Sequence, residues 1–271
     1  MTRRLSIPWL ALAAVLLMLF LYAPLIVAVM YGFNDSRSLV WPPRGFSFRW
    51  FINIFQDPAF RTAFMNSIIA ALITAVVATA IGTAAAFAFT RLRSRTSRGT
   101  EALGRLPVML PPIFIGIGFV ALMRLTNSTP TMLTIIAGHV VVALPWAILV
   151  VAARLRTLEP EIELAARDLG AGAWQTMRRI TIPIIAPAIF GAALLAFAWS
   201  FDELLITNFT SGQLTTVPLY VLGKLRRAYD PSANAVATIL LLIPWITFAV
   251  AALFLRRTGG NIGELLGQRI K

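Results

Sequence analysis

Residues Arg154–Pro187 read RLRTLEPEIELAARDLGAGAWQTMRRITIPIIAP, the longest polar interruption with helical patterning in a very apolar sequence. Leu158, Ile162, Ala165, Ala166 and Leu169 recur at three- and four-residue spacing, which gives one apolar face on a short helix. Glu159, Glu161, Glu163 and Asp168 cluster in the first half, and Arg178 and Arg179 close the second. Acids near a helix start and bases near a helix end suit the backbone dipole. Gly170 permits the chain to turn, and Ala173–Arg179 reads as a second short helix before Pro183 opens a long apolar run. A helix–Gly–helix too short to be stable alone needs a surface to dock on. Two surfaces fit: another protein, or the membrane beneath an ordinary amphipathic loop.

On either side the chain is apolar. The 271 residues are 58% hydrophobic and 13% charged, with a mean hydropathy of +0.79. An ordinary soluble domain carries about a quarter charged residues, so the composition points to the membrane class. A spanning helix needs about 20 apolar residues. Six stretches qualify: Trp9–Tyr31, Phe64–Phe89, Leu106–Met123, Met132–Ala153, Ile180–Phe201 and Ala233–Leu255. The expected fold is an all-α polytopic membrane protein with six transmembrane helices, a single domain over residues 1–271 whose polar segment 154–179 joins the fourth and fifth spans. Arg3 and Arg4 before an apolar run resemble a signal peptide, but Trp9–Tyr31 is too long for its hydrophobic region, so it reads as a retained first span. Pro107, Pro111, Pro112 and Pro145 begin or interrupt the third and fourth spans. Proline is tolerated where neighbouring helices cover the freed carbonyls, which places these spans in a bundle interior. Small residues crowd Ala75–Ala88 and Gly191–Ala198, either to let helices approach closely or as filler.

The net charge of +13 is carried by bases in short loops. That distribution suits anionic lipid headgroups and topology signals, not nucleic acid. With the N-terminus inside, sixteen of the 24 Lys and Arg residues fall in the inner segments and eight in the outer ones. The excess puts both termini and the central polar stretch in the cytoplasm. Outside, Gly32–Thr62 interleaves Phe46, Phe48, Trp50, Phe51 and Phe55 with bases. It fits an interfacial amphipathic segment or an ordered loop packed on the bundle. Thr207–Ser232 carries Gly212, Pro218 and Pro231 and reads as partly re-entrant.

The run Glu163-Leu164-Ala165-Ala166-Arg167-Asp168-Leu169-Gly170-Ala171, followed by Ile182-Pro183 and Pro187, resembles the EAA loop of ABC-importer permeases, roughly E-A-A-x-x-x-G, a gap, then I-x-L-P. By spacing from Gly170 the motif glutamate falls at Leu164, with Glu163 one place earlier, which leaves docking to Glu163 or to apolar contact. In that family the loop forms a coupling helix that inserts into a groove on a separate cytoplasmic ATPase. The resemblance therefore implies ATPase coupling for Glu163, Leu164, Ala165, Ala166, Gly170 and Pro183. Ser200-Phe201-Asp202-Glu203, Asn208-Phe209-Thr210-Ser211-Gly212, Val217-Pro218-Leu219 and Pro231-Ser232-Ala233-Asn234-Ala235 resemble the permeases of spermidine/putrescine importers, the second of that pair above all. Asn66-Ser67 is similar too, though shared by many such permeases. The likeness implies a type I ABC-importer permease fold of five core helices, plus a first helix that crosses onto a partner permease. It implies a bacterial inner membrane, a second permease subunit, a cytoplasmic ATPase dimer and an external solute-binding protein.

Asp202 and Glu203 are the only carboxylates at the end of an expected span. Asp202 lies fifteen residues beyond Pro187, about 22 Å along a helix, in the outer third of a core about 30 Å thick. A carboxylate deeper than the interface usually faces a partner or a watery path. One reading is a cation-attracting site on the pathway, suited to a polyamine ammonium, to which the resemblance adds Asn208. The other is a structural pair with Arg124 or Lys224, or simple interfacial exposure. Adjacent helical residues point about 100° apart, so both acids cannot line one path equally; Asp202 is the first choice.

Several function classes fall away. No G-x-x-x-x-G-K-[ST] stretch is present to cradle ATP phosphates, and no cysteine for a thiolate metal site. His139, alone in an apolar span, is expected to be a hydrogen-bonded bundle residue, not a metal ligand. No catalytic constellation emerges, so a transport subunit without an enzymatic activity or cofactor of its own is expected. Another solute stays open: an amino-acid derivative, thiamine, an opine, or an anion. An ion-coupled secondary transporter would need inverted repeats and buried ion ligands, and neither is visible. A membrane scaffold leaves the helix–Gly–helix and the acidic pair without purpose.

Overall fold

The computed structural model describes residues 8–38, 41–91, 110–227 and 230–257. Its elements are α1 (Pro8–Gly32), α2 (Arg49–Gln56), α3 (Pro58–Arg91), α4 (Pro112–Leu125), α5 (Met132–Arg156), α6 (Pro160–Asp168), α7 (Ala173–Thr176), a π-turn (Met177–Thr181), α8 (Ile182–Phe201), α9 (Leu205–Thr210), α10 (Val217–Arg227) and α11 (Ser232–Arg257). Apolar runs become helices because a chain away from water must satisfy its backbone polar groups within itself. Among the described residues, five stretches are long and apolar enough to cross a membrane: Ala11–Gly32, Pro58–Arg91, Met132–Arg156, Ala173–Phe201 and Ser232–Leu253. They match the first, second, fourth, fifth and sixth expected spans, and α4 supplies a shorter apolar helix at the third.

Three boundaries depart from the expected pattern; at the second span α3 begins at Pro58, six residues before Phe64. Leu106–Met109 of the third span lie outside the described residues, as do Arg3, Arg4 and the bases between Arg93 and Arg105. The helix itself starts only at Pro112 and has 14 residues, about 21 Å. Pro111 is extended (φ −56°, ψ 133°), and Pro112 then takes the first helical position, where its missing N–H leaves nothing unsatisfied. At the fifth span, α7, the π-turn and α8 run without a break over the 29 residues Ala173–Phe201. The expected second short helix, Ala173–Arg179, is therefore the opening of that span.

The chain divides into two units, Met1–Arg61 with Val221–Leu242 and Thr62–Tyr220 with Ile243–Lys271. In the first, buried Asn34 organises the segment after α1. Its carbonyl accepts the Trp50 indole N–H at 2.7 Å, and its side-chain oxygen accepts the Arg44 N–H at 2.9 Å. Phe33 packs against Phe51 and Phe48 at ring distances of 4.8 and 5.3 Å. Phe46, Phe48, Ile52 and Phe55 stay exposed. Near the start of α11, Asp230 accepts from Lys224 Nζ at 2.6 Å and from the Ser232 N–H at 2.9 Å. Burial pushes its carboxyl up, but these hydrogen bonds together outweigh that and hold it below its ordinary range.

In the second unit α3, α5 and α8 meet through small side chains. Ala75, Ala78, Ala143 and Ala196 form one cluster; Ala86, Ala147, Ala152 and Ala192 pack with Val151, Leu155 and Ile185 in another. Alanine lets backbones approach where no hydrophobic force drives helices together. Both small-residue stretches singled out in the sequence contribute, through Ala75, Ala78 and Ala86 and through Ala192 and Ala196. The short α9 lies against α4 and α5.

Candidate functional sites in the second unit

The polar segment between α5 and α8, α6 with the turn that follows it, forms an elbow that is built locally. Pro160 occupies the first turn of α6 beside Glu161 and Glu163, which complement the helix N-terminus. At the other end Gly170 takes φ +87°. The Gly170 N–H donates to the Arg167 carbonyl at 2.9 Å and the Ala171 N–H to the Ala166 carbonyl at 3.0 Å. That pair of bonds is a Schellman stop, and the left-handed residue it requires favours glycine. Of the apolar face read from the sequence, Leu158 and Ala166 are buried, whereas Ile162, Ala165 and Leu169 are exposed. Leu164 is 55% and Leu169 89% accessible, and Trp174 is exposed beyond the turn. Pro183 is the second residue of α8, directly after the π-turn and inside the continuous helix Ala173–Phe201.

Glu163 behaves differently from its neighbours. Its side chain is only 14% accessible, and Oε1 lies 2.6 Å from the Arg91 guanidinium at the end of α3. The same oxygen accepts the Thr181 hydroxyl at 2.8 Å. One carboxylate oxygen thus joins α6 to α3 and to the π-turn that leads into α8.

The acidic turn follows α8. His139 of α5 is buried, with Nδ1 2.7 Å from Ser200 Oγ and Nε2 2.8 Å from Thr207 Oγ1. Thr207 Oγ1 donates its one proton to the Glu203 carbonyl at 2.8 Å. It must therefore accept from His139, so Nε2 carries a proton; with a single ring proton, Nδ1 accepts from Ser200. The imidazole staples both ends of the turn that holds Asp202 and Glu203. Beside it, a Cβ on Gly138 would lie 2.6 Å from the Ile206 side chain, and one on Gly116 would lie 2.8 Å from Phe209. Only glycine lets α9 seat this closely on α5 and α4. Glu203 is buried and its Oε1 accepts the Ile206 N–H at 2.8 Å, satisfying an orphan donor of α9. Asp202 and Asn208 are exposed. Asp202 has no ion-pair partner among the described residues, whereas Lys224 pairs with Asp230.

The structure thus separates the residues singled out in the sequence. Glu163 and Ala166 face inward on α6 while Leu164 and Ala165 face outward; Glu203 is enclosed while Asp202 and Asn208 are not. His139 is hydrogen-bonded within the bundle, as expected. Arg91, Thr181, Ser200 and Thr207 were not foreseen as partners, because each lies far along the chain from the group it serves. Asn66 and Ser67, noted only for their resemblance, hold the loop before α10: Asn66 Nδ2 donates to the Thr215 carbonyl at 2.9 Å, and Ser67 Oγ accepts the Val217 N–H at 2.9 Å.

Comparison with known proteins agrees with this architecture. The putrescine transport system permease protein PotI of Escherichia coli K12 is 37% identical over 243 residues, covering 86% of each chain. The spermidine/putrescine transport system permease protein PotC of the same organism is 28% identical over 249 residues, covering 91% of this chain and 94% of its own. Among solved structures, a chain of a bacterial alginate ABC transporter in complex with an alginate-bound periplasmic protein superposes with a TM-score of 0.71 at 16% identity, covering 94% of this chain and 96% of its own. A chain of the MetNI methionine ABC transporter gives 0.63 at 14% identity, covering 74% and 99%. Residues 78–260 match the family model described as binding-protein-dependent transport system inner membrane component, and with that match the chain belongs to this family of multi-pass membrane transport subunits.

Proposed function

We propose that this chain is the permease subunit of an ATP-driven importer and passes a small organic cation of the polyamine class inward. Asp202 carries the reading: an exposed carboxylate at the end of a membrane helix, without an ion-pair partner among the described residues, while its neighbour Glu203 is enclosed. Such a group attracts an ammonium but repels an anion. The relatives named for putrescine and spermidine support the same class. Asn208, exposed one turn into α9, belongs to the same pathway.

The bare face of α6, with Leu164, Ala165 and Leu169 outward and Gly170 setting the turn, docks on a cytoplasmic ATPase dimer. Both termini are cytoplasmic, which the excess of bases in the segments on that side supports. The most apolar stretch of α1 buries nothing, which supports its crossing onto a second permease subunit. Solute arrives from an external binding protein.

Uptake of labelled putrescine by the reconstituted complex, against a panel of amino-acid derivative, thiamine and sulfate, tests the reading. Putrescine is the solute expected to accumulate. Asp202→Asn lowers its uptake about tenfold at low salt and by less as salt screens the charge. Unchanged uptake and salt dependence in that variant removes the acidic site from the pathway, and uptake of sulfate in place of putrescine ends the cation reading.

A further inference from the structure

We propose that Glu163 is a positioning residue that links the elbow to the membrane helices and acts in transmitting movement, not in holding the ATPase. The inference rests on the docking reading above and concerns the opposite side of α6. Within that helix only two positions, Glu163 and Ala166, are drawn inward; every other residue is exposed. They stand three apart and so share one face. Ala166 brings a methyl group, leaving Glu163 as the one polar tie between α6 and its surroundings among the described residues.

The backbone connection to α8 runs through two glycines, the residue type with the most permissive backbone. Gly170 and Gly172 flank Ala171, and a Cβ at either would meet nothing within 4 Å. Along the backbone a push on Leu164 and Leu169 reaches α8 only through these glycines; a side-chain link that bypasses them gives a second route. Glu163 supplies it. Its Oε1 takes a charge-assisted bond from Arg91, the last residue of α3, and a second from Thr181, the last residue of the π-turn. The Thr181 side chain lies in a residue only 1% accessible, so without the carboxylate its hydroxyl loses a buried acceptor. Partial burial makes such a link stronger than an ordinary surface pair. Displacement of α6 is thereby passed to α3 and α8 together, the two helices whose alanines pack against α5.

The complete importer in proteoliposomes tests this, read as ATPase co-purifying with the complex and as solute imported per ATP hydrolysed. Glu163→Ala should keep the ATPase at the wild-type level while import per ATP falls at least about fivefold, the size of a typical coupling loss. Thr181→Val, which keeps the ion pair, should give a smaller fall in the same direction. Arg91→Glu alone should fall like Glu163→Ala, and adding Glu163→Arg to it should restore much of the import, since the exchanged charges can pair again. Import per ATP unchanged in Glu163→Ala, or a double variant no better than Arg91→Glu alone, overturns the proposal. So does loss of the ATPase from Glu163→Ala, which makes Glu163 a docking residue. Leu169→Glu separates the two readings: an ATPase that stays bound to it defeats the docking reading, whatever Glu163 does.

Discussion

Glu163 with Leu164, and Glu203 with Asp202, are two adjacent pairs in the same unit that solve one problem in different ways. In each pair one side chain is turned inward to hold the element while its neighbour stays exposed. The holding bonds differ in reach. Glu203 accepts from the backbone of Ile206, three residues on, and so fixes only its own turn. Glu163 accepts from Arg91, 72 residues away, and from Thr181 on another element. A local cap keeps its geometry when helices move past one another; a tie between elements carries that movement. The exposed partner is then free to meet something outside the chain, apolar at Leu164 and anionic at Asp202.

The largest expected effect tests the exposed half of the first pair. Leu164→Arg or Leu169→Glu puts a charge into the apolar centre of the proposed docking face and should weaken ATPase co-purification by about 30-fold or more, with membrane insertion unchanged. Full binding in either variant would leave α6 without a docking role. Next comes the staple of the second pair. His139→Ala removes the bridge between Ser200 and Thr207 and leaves buried hydroxyls short of a partner, at about 1–3 kcal/mol. Thermal unfolding in detergent should register that loss, and putrescine uptake should fall with it as the turn carrying Asp202 loosens. His139→Gln, which has one donor and one acceptor, should recover part of both. A wild-type melting temperature in His139→Ala would show that the staple holds nothing. Smaller still, Glu203→Gln keeps an acceptor for the Ile206 N–H and should cost less than His139→Ala in stability, with import per ATP unaltered. A coupling loss at Glu203 matching that at Glu163 would erase the distinction between cap and tie.

The same difference in reach explains what was legible in the sequence. Membrane helices are written in runs of apolar residues, so helices stand at five of the expected spans, the second and fifth opening earlier than expected, and the third shifts because Pro111 and Pro112 set its start. The elbow is equally local: the acids, the periodicity and Gly170 stand within one short stretch, and the helix with its Schellman stop follows from them. The π-turn at Met177–Thr181 has no compositional mark, and a second short helix was expected there. The ties were hidden because pairing is set by packing. Nothing in the order of residues joins Arg91 to Glu163, or His139 to Ser200 and Thr207 at separations of 61 and 68. The role of Glu203 as a cap was within reach, since its acceptor lies three residues before the donor it serves. The functional weight given to the acidic pair as a whole obscured it.

Asp230, in the first unit, extends the comparison to the smallest effect. Its partners are near in sequence, Lys224 on α10 and the Ser232 N–H at the start of α11, so it should act as a local tie. The side chains of Lys224 and Asp230 are 26% and 35% accessible, so water screens the pair, and exposed pairs of this kind contribute about 0.2–1 kcal/mol. The sign follows from its carboxyl being held below the ordinary range when folded. The stabilisation is complete above the unfolded pKa, near about 4, and fades as pH falls through the lower folded value. Asp230→Asn should therefore melt slightly below the wild type at neutral pH, with the gap unchanged down to about pH 5 and closing below about pH 4. Import per ATP should not move. A gap that widens on acidification has the wrong sign for this tie, and a large coupling defect would place Asp230 with Glu163 and not with Glu203.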